Sequence, residues 1–140
     1  MPAPNYSPTA SFGLLLVRIV TGALLIYGHG WPKLMSFSER AAHFPDPLHI
    51  GPDRSLVLTI FAEAVCAFCV AIGFATRFAA AAIVMLFAVI LLVVQRGELF
   101  GELELALLYG AVYLCLVFTG AGTYALDARY GPKVKFGGGK

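Results

Sequence analysis

Apolar residues fall in four long runs separated by polar breaks: from about Ser11 to Tyr27, Ser55 to Phe74, Phe78 to Val94, and Leu103 to Thr119. Each holds roughly 17–20 residues, enough at ~1.5 Å per residue to cross a ~30 Å hydrocarbon core. Helices of soluble domains are shorter, ~11–12 residues on average. Inside lipid every backbone amide needs a partner within its own element, so runs of this kind form helices rather than isolated strands. The pattern predicts an all-α, four-helix transmembrane bundle, a single domain over residues 1–140, with the last stretch, 120–140, as a tail.

The breaks are uneven. Ala75-Thr76-Arg77 reads as a tight hairpin, and Gln95 to Glu102 as a short polar link. The first connection, from about Gly28 to Arg54, is far longer and carries His29, Trp31, Pro32, Lys33, His43, Asp46 and His49 among apolar residues and prolines. Loops of that length are functional or fold into something of their own. Pro32 is expected to break or kink the first helix. The tail is expected to be ordered as far as Tyr130 and frayed beyond it.

Composition agrees with a bilayer as solvent. Hydrophobic residues make up 59% of the chain and charged residues 13%, about half the usual charged share of a soluble domain. A net charge of +2 with no basic stripe excludes nucleic acid as an expected partner. The three cysteines, Cys66, Cys69 and Cys115, lie inside apolar runs rather than in a secreted disulfide framework. No Lys or Arg precedes the first run, so it reads as a retained helix and not a cleaved signal. With four crossings, Arg77, Arg129, Lys133, Lys135 and Lys140 share one side and Lys33, Arg40, Arg54 and Arg96 the other. That bias favours cytoplasmic termini. Trp31 and Tyr27 fall where an interfacial aromatic belt belongs.

The chemistry is carried by charges at membrane depth. Measured from the ends of the apolar runs, Arg18 in the first helix and Glu63 in the second lie at nearly the same depth, ~12–14 Å from the long-loop interface. A lone charge at a helix centre costs ~2.5–3.5 kcal/mol on insertion scales. The two are therefore expected to pair, either as a structural fastening or as the centre of a ligand, proton or redox site. Arg18, Gly22, Leu25 and His29 share a helix face, with Gly22 giving clearance to a neighbouring backbone or a ligand. His29, Lys33, Gln95 and Glu104 are expected to gather above the pair, with Trp31 beside them; Glu102 reads as a solvated or capping residue. Cys66 and Cys69 form a C-x-x-C in mid-helix, open to a packing or a redox reading. His43 and His49 lack partners at ligand spacing, so no metal is expected. A bis-His haem is not expected either, since the later helices contain no His.

Four segments, LLLVRIVTGALLIYGHGWPKL (14–34), FPDPLHIGP (44–52), FAEAVCAFCVAIGFATRFAAAAI (61–83) and ELALLYGAVYLCLVFTGAGTYALD (104–127), together resemble the DoxX family of small bacterial and archaeal membrane proteins. The resemblance implies a four-helix bundle in the cell (inner) membrane and carries Arg18, His29, Lys33, Glu63 and Glu104 over as site residues. Cys66 and Cys69 stand where members often have small residues, and His49 where Gly is common. Family members resemble the small subunit of a thiosulfate:quinone oxidoreductase, which implies an oxidoreductase subunit working with quinone and a partner subunit or a second copy. In that reading Arg18, Glu63, His29 and Glu104 are catalytic, and Gly22, Lys33 and Trp31 bind the ligand. The alternatives are a non-catalytic scaffold or assembly factor, and a binding or transport protein for a small molecule or ion.

Overall fold

The computed structural model describes residues 6–97 and 99–130, apart from the side chains of Glu102 and Tyr130. The readings of Glu102 and of the tail past residue 130 lie outside the described residues. Among the described residues six helices follow in order: α1 (Pro8–Met35), α2 (Phe37–Arg40), α3 (Pro52–Ile72), α4 (Thr76–Val94), α5 (Phe100–Thr119) and α6 (Leu126–Tyr130). No strand occurs among the described residues. α1, α3 and α4 are long and apolar enough to cross a membrane. The 20 residues of α5 span ~30 Å and complete an all-α transmembrane bundle.

Local chemistry sets the helix starts. Ser7 caps α1, its Oγ accepting from Ala10 N at 3.2 Å, with Pro8 in the first turn where no amide partner is needed. Pro52 likewise stands at the start of α3, with Asp53 in its first turn and Gly51, which offers no side-chain cap, before it. α1 does not end near Tyr27, nor does Pro32 break it. A π-helical turn, Ile26–Gly30, precedes the proline, and the helix runs on to Met35. The wider turn relieves the clash between the proline ring and the preceding carbonyls. The long connection is thereby shortened, and its remainder folds into α2 and a turn built on Asp46.

Helix packing uses small residues. A Cβ on Gly22 would stand 3.0 Å from Ala67 O and from Ala71 Cβ, and one on Gly30 would stand 3.0 Å from Ala64 N and Cβ and from the Glu63 carbonyl carbon. α1 and α3 thus touch backbone to backbone, as membrane helices do where small residues meet. α4 packs along α5, where Phe87 stacks on Tyr109 at 5.4 Å and Tyr109 on Tyr113 at 6.4 Å. Leu25, Ala67, Val70, Ala80 and Ile83 fill the space between the two pairs.

Residues 120–130 fold back over the α3–α4 turn. Ser11 Oγ meets Thr123 Oγ1 at 2.9 Å, and Asp127 N donates to Gly73 O at 2.8 Å. The Asp127 carboxylate accepts from Ala75 N at 2.7 Å and Thr76 N at 2.8 Å, capping the start of α4. Gly73 ends α3 at φ +74, and a Cβ there would overlap the Arg18 guanidinium and Ala125. Gly73→Ala is expected to lower stability by about 2–4 kcal/mol, from the left-handed backbone and the overlap together. Thermal denaturation in mild detergent measures it; an unchanged midpoint would remove Gly73 from the clasp.

Candidate functional site

The predicted Arg18–Glu63 pair does not form. The glycine contacts give the register of α1 on α3: Gly22 lies against Ala71 and Gly30 against Ala64 and Glu63. Arg18 therefore sits beside the α3–α4 turn, while Glu63 lies level with residue 30, ~18 Å further along α1 at ~1.5 Å per residue. The depth estimate failed because α1 continues eight residues past Tyr27, to Met35, so the first helix was measured from the wrong end point.

Each charge has another partner. Arg18 is fully buried; its Nη2 donates to Tyr124 O at 2.5 Å, and Asp127 is the acidic group whose field it feels. Its Nε and Nη1 have no hydrogen-bond partner among the described residues. Arg18 thus belongs to the tail clasp. Glu63, also buried, forms an ion pair with Lys33, whose Nζ donates to Oε2 at 2.5 Å. The pair depends on two π-helical turns packed against each other, Ile26–Gly30 in α1 and Phe61–Cys66 in α3. Turns of this kind recur at functional sites because they re-aim side chains without ending the helix.

Beside the pair lies a cavity of about 580 Å³ between α3, α4 and the loop before α3. Its walls are mostly apolar: Phe44, Pro47 and Leu48 from the loop, Leu58 and Phe61 from α3, Met85 and Ile90 from α4. Lys33, Glu63, Ser55, Thr59 and Gln95 add polar groups. A third π-helical turn, Ile90–Val94, forms part of the wall. Asp46 holds the loop in place: Oδ1 accepts from Ile50 N at 3.1 Å and Ser55 Oγ at 2.7 Å, and Oδ2 from Gly51 N at 2.8 Å.

The other expected site residues divide. His29 lies within electrostatic reach of Glu63 and Lys33 and meets Tyr109 edge-on at 5.8 Å, so it joins the cluster. Glu104 is exposed and Trp31 faces outward at 52% exposure; neither lines the cavity. Gly22 is covered by Ala67 and Ala71, leaving no room there for a ligand. Cys66 is buried in the core with a free thiol, and Cys69 is free and half-buried. No group of three metal-ligating side chains occurs among the described residues. Sequence reasoning missed that Phe44, Pro47 and Leu48 wall a cavity and that Asp46 holds their loop. The alternation of apolar residues with three prolines in FPDPLHIGP was the available signal.

A model of the DoxX family matches residues 13–96. The chain belongs to the DoxX family. The matched stretch contains Lys33, Glu63 and His29 with every residue of the cavity wall, and leaves α5 and residues 120–130 outside it. Neither the curated proteins nor the solved structures offer a match to this DoxX chain.

The Asp46 turn carries a pH dependence of its own. The hydroxyl of Ser55, then the amides of Gly51 and Ile50, hold its carboxyl below the ordinary value of 3.8. The network is therefore complete at and above that value and is lost as pH falls through the lower folded value. Amide protection at Ile50 and Gly51, corrected for the intrinsic exchange rate, is expected to stay constant from neutral pH to about 4 and then to drop. Loss of protection near neutrality would show that Asp46 does not hold the loop.

Proposed function

We propose that this protein is a quinone-linked subunit of a membrane oxidoreductase complex, binding a lipid-soluble quinone in the α3–α4 cavity and acting with a separate electron-donating partner. The reading is carried by one observation: a largely apolar cavity of about 580 Å³ whose wall holds the part-buried Lys33–Glu63 ion pair. That volume is in the range of small-molecule sites, which combine apolar walls with a few placed polar groups. Ionisable residues kept at membrane depth mark ligand or proton paths. Lys33 supplies N–H donors to a ring carbonyl, and Glu63 and His29 supply groups able to carry a proton toward it. Electrons come from the partner subunit.

Purified protein in nanodiscs, titrated with a short-chain quinone analogue, is expected to give a saturable isotherm. Ala62→Phe, which fills the cavity from α3, should weaken binding by at least ~tenfold, or about 1.4 kcal/mol. The absence of saturable binding to the wild-type protein would sink the reading.

A further inference from the structure

We propose that the cavity selects uncharged amphiphiles over anionic ones, and that Glu63 is the residue that does so. The inference rests on the cavity being the ligand site, as read above, and adds the charge class of the occupant.

Lys33 and Glu63 present themselves unequally. The lysine side chain keeps 19% of its surface accessible and the glutamate 3%. Both side chains line the cavity, and of the two the lysine offers the larger accessible surface to a molecule there. An ammonium has three N–H donors, of which one goes to Glu63 Oε2. Lys33 shares the cavity lining with Ser55, Thr59, Gln95 and apolar groups, so its remaining donors are within reach of a ligand that enters. A neutral carbonyl can accept from Lys33 while the ion pair stays intact, and no net charge is buried. A carboxylate would instead compete with Glu63 for one ammonium. Two carboxylates around one cation leave a net negative charge among apolar walls, which is costly. His29 also lies in reach of the pair but is turned edge-on to Tyr109, and it is not part of the cavity wall. Specificity thus arises from a repulsive element, the buried carboxylate, as well as from the attractive one.

The proposal has an inverse. With Glu63 neutral, Lys33 stands in the cavity as an unpaired cation, and an incoming carboxylate completes the pair that Glu63 formerly made. Methyl laurate and laurate share a chain and differ in charge at mildly alkaline pH. Their direct binding is measured in phosphatidylcholine nanodiscs, with a short-chain quinone analogue in parallel. The wild-type protein is expected to bind the ester at least ~tenfold more tightly than laurate. Glu63→Gln should reverse the order. Val94→Lys, which adds a second cation to the wall with the ion pair intact, should also gain laurate affinity; it keeps the test decisive where Glu63→Gln does not fold. Equal binding of the two probes by the wild type, or binding of neither, would overturn the proposal. So would a folded Glu63→Gln protein that keeps the wild-type order, or a folded Val94→Lys protein with no gain. A wild type that prefers the ester but does not bind the quinone analogue would retain the selection and discard the quinone reading.

Discussion

Replacing Lys33 by methionine is expected to cost about 3–5 kcal/mol of stability, because it strands the Glu63 carboxylate without a counter-charge. Glu63 is only 2% exposed and has Lys33 as its ion-pair partner. Its surroundings are the backbone contact with Gly30 and the π-helical turn that carries it. In so apolar a setting the protein can respond only by protonating the carboxyl, admitting water or separating the helices, and each has a cost. Lys33→Met with Glu63→Gln together should recover most of the loss, since removing both charges removes the desolvation of both. A double-mutant cycle on thermal or denaturant unfolding in detergent gives the coupling directly. Additive single effects would mean that the two groups do not depend on one another, and the site described above would dissolve.

Asp127→Ala is the second large effect, expected at about 2–4 kcal/mol. It removes the acceptor of two backbone amides, Ala75 N and Thr76 N, and the acid whose charge acts on the buried guanidinium of Arg18. Asp127→Asn, which keeps one acceptor oxygen but not the charge, should fall between the two. The loss should appear first as tail release, so cleavage near residue 125 by limited proteolysis ought to precede global unfolding. Resistance equal to wild type would show that residues 120–130 are held by other contacts.

Of these residues, sequence reasoning singled out Lys33 without its partner and gave Asp127 no role. Run length and hydropathy located all four spanning helices, since lipid imposes one periodicity and one minimum length. Lys33, Glu63 and His29 stood out as candidates because charged and titratable groups at membrane depth need a reason. Their pairing was not legible. Apolar run length measures composition, whereas α1 continues through Gly28, His29 and Pro32 to Met35 by adopting a π-helical turn. The misplacement of a helix end by eight residues shifts apparent depth by ~12 Å, enough to match Arg18 with the wrong acid. The Gly22 and Gly30 contacts that fix the true register depend on which face of α3 meets them, and a single sequence does not specify that. Arg18 was noticed as a charge but misread in role, because its partner is a backbone oxygen in the tail, Tyr124 O, and carbonyls leave no trace in side-chain patterns.

Because that oxygen lies 106 residues downstream, the clasp imposes an order on biogenesis. At translation rates of ~5–20 residues per second the partner of Arg18 emerges on the order of 5–20 s after the arginine itself. During that interval the first span carries an uncompensated cation, a burden of ~2.5–3.5 kcal/mol on insertion scales. The guanidinium gains its carbonyl partner only once residues 120–130 are made, so closure of the clasp is a late step in assembly of the bundle.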